Sequence, residues 1–405
     1  MQFQTLRDLD VRGKRVLVRE DLNVPMKDGV VGDPTRIVAA LATLRELHAR
    51  GARTIVLAHL GRPDGKVVPS MSLRPVALEL AKHLGTDVAF AEDCVGPIAQ
   101  TAVAGMSDGD IVLLENVRFH AEEEANDDAF ASALASLGDL YVNDAFGTAH
   151  RAHASTEGIA RHLPAAAGFL MEAELRALGA LASHPATPYV CAIGGAKVKD
   201  KVGVFTALID RVTAFVIGGG MANTFLAAQG IDVGKSLRDS DLGPATAIIA
   251  LAKTKGVPLH LPTDAVVSSS FGADDEAATV ALADVGERMI LDIGPATAAA
   301  YASVLRAAKT IVFNGPMGVF EKLPYQNGTK TIGLAIADAT AHGATTVVGG
   351  GDAAAAAHEL GFADRMTHVS TGGGATLEFL EGKTLPGVAA LEVAARSGAH
   401  MAARS

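Results

Sequence analysis

The sequence predicts an α/β protein of two Rossmann-like lobes, each a mostly parallel sheet with helices on both faces, joined by a hinge helix. Three observations predict it. At 405 residues the chain exceeds the range in which one hydrophobic core keeps growing, so two domains follow. Short apolar runs alternate with longer stretches of helical spacing, the rhythm of βα units. Several runs are apolar without a break, as strands covered on both faces must be. Apolar residues make up 49% of the chain and charged residues 20%, which supplies two cores and argues against disorder. Aromatic residues are 4% and Trp is absent, so those cores are aliphatic, with helices packed closely on the sheets.

In chain order, the strands expected in the first half are Arg15–Arg19, Thr54–Leu57, Ile111–Leu114 and Leu140–Val142. Those of the second half are Tyr189–Ile193, Ala214–Ile217, Thr310–Phe313 and Thr345–Val348. Helical spacing covers Ile37–Ala49, Leu73–Leu84, Asp127–Leu137 and Thr329–Ala341, and parallel strands linked this way take right-handed crossovers. Glu172–Leu181 reads as a connecting helix, and His184–Pro188 as a helix stop before a new strand. The domain boundary is expected there. The two halves share no motif, so no duplication is inferred. Beyond Gly387 the chain turns rich in Ala and Arg, and its last dozen residues are expected to fray.

The net charge of −10 argues against general nucleic-acid or anionic-membrane binding, which relies on a basic face. It leaves room for a local basic pocket. Cys94 and Cys191 lie far apart and resemble neither a disulfide framework nor a zinc site, which fits a reducing compartment. Residues Met1–Asp10 carry Arg7, Asp8 and Asp10 and lack the apolar run of a signal peptide, and no stretch approaches the ~20 apolar residues of a spanning helix. A cytoplasmic protein is expected.

Three glycine triplets stand out: Gly218–Gly220, Gly349–Gly351 and Gly372–Gly374. Each follows a β-prone run and precedes helix-favouring sequence. Such a turn brings backbone N–H groups close to a phosphate at the positive end of a helix. One alone reads more readily as tight packing or a helix start; three in one half, at strand ends where open parallel sheets bind ligands, point to a phosphate-rich ligand. Neither G-x-x-x-x-G-K-[ST] nor G-x-G-x-x-G occurs, which weakens the reading as a nucleotide-dependent dehydrogenase. Gly194–Lys201 (GGAKVKDK) closes another strand. If Lys197 opens a helix, Lys201 lies on the same face one turn later, and the pair is either a solvated face or an anion contact.

In the first half, Arg36, Arg62, Arg118 and Arg151 sit beside turn residues near strand ends. A single arginine is usually a surface charge, but four in an acidic protein suit a multiply charged anion, since guanidinium forks match phosphate and carboxylate. His59, His150 and His153 stand among them and read as anion contacts or packing rather than as metal ligands.

Together these strings resemble one family. Val18–Met26, containing R-E-D-L-N-V-P, resembles the phosphoglycerate kinase signature usually written R-V-D-F-N-V-P. His59–Asp64, Leu113–His120, Val142–His153, Gly194–Lys197, Gly218–Phe225, Phe313–Glu321, Gly349–Asp352 and Ser370–Leu377 follow in the family's order, from about residue 5 to about residue 390. The resemblance implies phosphoryl transfer between 1,3-bisphosphoglycerate and ADP, with Mg²⁺ on the nucleotide, in a monomer whose domains close about a hinge. It implies phosphoglycerate binding by residues 1–170, with the segment from about 383 to 405, a hinge at 171–185, and nucleotide binding by 186–382. Asp21, Asn23, Arg36, His59, Arg62, Arg118 and Arg151 match phosphoglycerate-binding positions. Lys197, Lys201, Gly219, Asn314, Glu321, Gly349, Gly350, Gly351, Asp352 and Ala353 match the nucleotide side, Glu321 at the ribose and Asp352 at the metal. Arg36, Lys197, Lys201, Gly373 and Gly374 match the groups facing the phosphoryl in transfer. Glu20 and Leu22 depart from the usual Val and Phe, Phe313 from a common Trp, and Ala353 from a Thr. A non-catalytic phosphometabolite sensor on the same fold remains compatible with the sequence.

Overall fold

The computed structural model describes residues 2–183 and 185–402. The chain divides into two compact units, one of Met1–Arg176 with Thr384–Ser405, the other of Ala177–Lys383. The helix Phe169–Ser183 crosses that division. His184, the first residue of the expected helix stop, lies outside the described residues.

The first unit is built on a six-stranded parallel sheet. Its strands lie in the order Val88–Ala91, Ile111–Leu114, Arg53–Leu57, Arg15–Arg19, Leu140–Asn143 and Ala165–Ala167. Val16, Leu17 and Val18 are buried on both faces of the central strand, which is why its sequence does not alternate. The helix Thr35–Ala49 turns Ile37, Leu41, Leu44 and Leu47 to the core, the three-to-four spacing of one helical face. Fully burying one such leucine is worth about 1.5–3 kcal/mol.

The second unit repeats the architecture with strands Leu259–His260, Ala214–Ile217, Tyr189–Ile193, Thr310–Asn314, Thr345–Gly349 and His368–Val369, all parallel. Tyr189–Ile193 lies between Ala214–Ile217 and Thr310–Asn314, both later in the chain, so successive strands run outward in opposite directions from it. This makes a topological switch point, outside whose carboxyl ends ligands bind in such sheets. A separate antiparallel sheet of Ala278–Ala281, Asp264–Ser268 and Met289–Ile293 is added to this unit.

The alternation of strands and helices is as predicted, and four expected strands extend by one residue. The antiparallel sheet was not predicted, nor were Val88–Ala91 and Ala165–Ala167. The last is three alanines, which carry no β signal and form a strand because Tyr141, Val142 and Asn143 pair with them. Near the end of the chain, Pro386–Ala402 lies in a helix that was not predicted from the sequence. Its alanine content favours that, and Leu391 is fully buried; residues 403–405 lie outside the described residues. No helix among the described residues is long and apolar enough to cross a membrane.

Candidate functional site

At the carboxyl ends of the first unit's strands, charged side chains converge that the sequence scatters over more than a hundred positions. Arg19 ends the central strand at 1% exposed. Its Nε donates to Ser155 Oγ at 2.8 Å, Nη1 donates to Glu20 O, and Nη2 lies 3.0 Å from His59 Nδ1. Arg118, 3% exposed, donates from Nη1 to Gly61 O at 2.9 Å and has Nε 3.1 Å from Glu124 Oε1. Asp21 Oδ2 accepts from Arg36 Nη1 at 2.7 Å, and Asn23 Oδ1 accepts from Gly61 N at 2.9 Å. Arg151 is half-buried, its Nε 3.4 Å from His150 Nε2, and Arg62 is exposed.

The titration of His59 reports this convergence. Burial, then the charges of Arg19, Arg118, Arg151 and Arg36, hold its pKa well below the usual imidazole value. His153 is pushed down to about 4, by burial and then by Arg118, Arg19 and Arg151. Burial also brings Arg118 down to about 10. Like charges held together in this way have an unfavourable self-energy that a bound multivalent anion relieves. Behind them, fully buried Glu123 accepts from Ser155 Oγ at 2.6 Å and Ser155 N at 2.8 Å, anchoring the hydroxyl that in turn orients Arg19.

The second unit builds one of its cavities largely from glycine backbone. This cavity, of about 360 Å³, is lined by Gly194–Lys197, Asp200, Lys201, Asn314, Gly315, Gly350–Ala353, Gly373, Gly374 and Leu377. Gly195, Gly350 and Gly373 have φ of 104°, 92° and 53°, conformations L side chains rarely adopt. The helices Gly219–Ala228, Gly351–Glu359 and Gly374–Leu380 start at the glycine triplets. Lys201 Nζ donates to Asn314 Oδ1, while Asn314 Nδ2 donates to Gly349 O at 2.8 Å. Burial lowers the pKa of Lys201, as expected of an ammonium short of water. Lys197 is exposed at the cavity wall. A second cavity of about 790 Å³ shares Gly195, Ala196 and Asp352 with the first and extends over Leu226, Leu237, Met289, Leu291, Val319 and Glu321.

The condition that Lys197 opens the helix is not met. The helix begins only at Val202, because Asp239 Oδ2 accepts from Val198 N at 2.8 Å and Lys199 N at 3.4 Å and holds that segment as a loop. Lys197 and Lys201 therefore reach the cavity from a loop and a helix cap, not from one helical face.

The sequence profile described as phosphoglycerate kinase matches residues 6–383. The chain belongs to the phosphoglycerate kinase family. It is 54% identical over 393 residues to a phosphoglycerate kinase of Pelotomaculum thermopropionicum, covering 96% of this chain and 99% of that one. It is 54% identical over 389 residues to that of Moorella thermoacetica, covering 96% and 98%. Among solved structures, phosphoglycerate kinase from Coxiella burnetii aligns with a TM-score of 0.88 at 41% identity, covering 97% of this chain and all of that one. The enzyme from Pyrococcus horikoshii aligns with a TM-score of 0.82 at 33% identity, covering 96% and 99%.

Against the family signature, Glu20 is a buried carboxyl. Burial, then the neighbouring Asp144, pushes its pKa well above the usual carboxylate range. Leu22, Phe313 and Ala353 are fully buried, and Phe313 packs 6.4 Å from Phe362 in the core. Sequence reasoning missed Arg19, Glu123 and Ser155. The one signal was a charged residue closing the apolar run Val16–Val18. It also missed Leu237, in a loop, and Met289 and Leu291, on the unpredicted antiparallel sheet, apolar residues with no motif that line the larger cavity.

Proposed function

We propose that the protein catalyses the reversible transfer of a phosphoryl group from 1,3-bisphosphoglycerate to ADP, giving 3-phosphoglycerate and ATP. The observation that carries this reading is the pairing of four guanidinium groups acting on His59 in one unit with a glycine- and lysine-lined cavity in the other. Family membership supports it. Asp21, Asn23, Arg36, His59, Arg62, Arg118 and Arg151 hold the three-carbon acid in this proposal. The larger cavity, with Gly219 on its wall, takes the base and ribose, Glu321 meeting the ribose, and the glycine cavity takes the phosphates through Asn314, Gly350, Gly351 and Ala353, the Gly349 carbonyl holding Asn314 in place.

In the direction of ATP use, the nucleophile is a carboxylate already ionised at neutral pH, so no general base is required. What remains for the chain is positioning and neutralisation of charge on the phosphoryl oxygens. Lys197, Lys201, Arg36 and the amides of Gly373 and Gly374 are assigned that work. The nucleotide phosphates require a divalent cation. Asp352, a carboxylate on the wall of both cavities, is a hard oxygen donor of the kind Mg²⁺ takes singly, with waters and phosphate oxygens completing its shell. When bound, Mg²⁺ draws negative charge from the phosphate oxygens.

Transfer requires the reacting oxygens within ~3–3.5 Å and water excluded. The proposal therefore includes closure about the helix Phe169–Ser183, which scattering would register as compaction with both substrates bound. A cytoplasmic monomer that binds small molecules, and neither nucleic acid nor membrane, completes it. The test is ATP formation from ADP and 1,3-bisphosphoglycerate, which should require Mg²⁺. Absence of turnover with both ligands bound would leave a sensor role in its place.

A further inference from the structure

One cluster of metal-ligating side chains stands apart from the groups used above. Among the described residues, Asp93, Cys94 and His120 form the one group of three or more His, Cys, Asp or Glu side chains whose ligand atoms all lie within 4.8 Å of one another. Topology brings them together. Asp93 and Cys94 follow the edge strand Val88–Ala91, and His120 follows the turn Val117–Phe119 after the adjacent parallel strand Ile111–Leu114. The three donors thus meet at neighbouring carboxyl ends.

The donors are held in place by the fold. Asp93 Oδ1 accepts from Cys94 N at 2.7 Å and pairs with His120 Nε2 at 2.8 Å, and the His120 ring packs 5.1 Å from Phe130. Cys94 is buried, while the side chains of His120 and Asp93 are 30% and 37% exposed. A cation arriving from water meets the carboxylate and imidazole first and the thiol behind them. Burial, then the charges of Asp93 and Glu123, pushes the thiol well above its usual value and keeps it protonated, while the same carboxylates make a field that favours a cation.

We propose that Asp93, Cys94 and His120 bind a divalent cation of the zinc class, with water in the fourth position. Sulfur, nitrogen and oxygen together are the set such an ion takes, whereas magnesium and calcium take oxygen alone. Binding forms a sulfur–metal bond and releases the thiol proton to water. It replaces the Asp93–His120 hydrogen bond with two metal bonds, the imidazole proton residing on Nδ1. The ion would tie the turn carrying Arg118 to the segment after the edge strand.

Cobalt(II) alone, added to the reduced full-length protein without nucleotide, is the probe. The expected result is a thiolate-to-cobalt charge-transfer band saturating at one equivalent and abolished by zinc(II). Cys94→Ser should lose the band. Asp93→Asn and His120→Ala change partly exposed side chains and should weaken binding by about tenfold or more. No band at excess cobalt, a band that survives in Cys94→Ser, or an unchanged affinity in His120→Ala would each overturn the proposal.

Discussion

In the first unit the converging charges stand on side chains that are themselves buried: Arg19, Arg118 and His59 are 1%, 3% and 3% exposed, with Glu123 fully enclosed behind them. In the second unit the lysine cavity is shaped by glycines at positive φ, and the two lysines reach it from a loop and a helix cap. A site made of buried side chains makes the fold depend on its charges. A site made of backbone makes it depend on conformations only glycine adopts easily. In the proposed function, the same class of ligand, a phosphorylated anion, is thus approached in two physically different ways.

Breaking the first arrangement should cost most. Arg19→Met removes the guanidinium that faces buried Glu123 and Ser155, and removing one partner from a buried charged network typically costs about 3–5 kcal/mol. Urea unfolding should register that loss. In the second unit, Lys201→Ala should leave the fold nearly intact and lower kcat by about 10²–10³ with a small change in nucleotide KM. Steady-state kinetics that showed the reverse split would contradict its assigned role. Gly350→Ala places a Cβ on a residue at φ 92° and ψ 144°, 3.2 Å from Asn314 Nδ2, and should destabilise by about 1–3 kcal/mol.

The smallest effect sharpens the comparison through pH. His153 is held at about 4 in the folded first unit, below the ~6.5 of an unfolded chain. Between those values the unfolded state binds more protons, so this group makes stability rise with pH. Asp292, buried in the second unit, is pushed up to about 7, so the folded state holds the extra proton above ~4 and stability falls as pH rises toward 7. His153→Gln should flatten the rise and Asp292→Asn the fall, each by on the order of 1–2 kcal/mol in unfolding measured from pH 4 to pH 7.

Much of this was legible because it is local. Short continuous runs such as Tyr189–Ile193, with β-branched residues and bounded by Pro and Gly, read as strands covered on both sides, and glycine triplets after strands announce helix starts. What was not legible depends on partners distant in sequence. Ala165–Ala167 becomes a strand only through pairing with Tyr141–Asn143. Arg19 becomes part of a site only because Ser155, 136 positions away, accepts from it. Lys197 is kept out of a helix by Asp239, a carboxylate about forty residues on that no helical periodicity reveals. The larger cavity's apolar wall has no motif, since any aliphatic side chain serves.

The central claim is that the two units hold different ligands, and amide hydrogen exchange with each ligand alone tests it most directly. With 3-phosphoglycerate, exchange should slow around Asp21–Arg36, His59–Arg62, Arg118 and Arg151, leaving the second unit's glycine turns unchanged. With Mg·ADP, it should slow around Gly194–Lys201, Gly218–Asn223, Asn314–Glu321 and Gly349–Ala353, leaving the arginine face unchanged. Protection of the arginine face by the nucleotide alone, or of the glycine turns by 3-phosphoglycerate alone, would contradict the account.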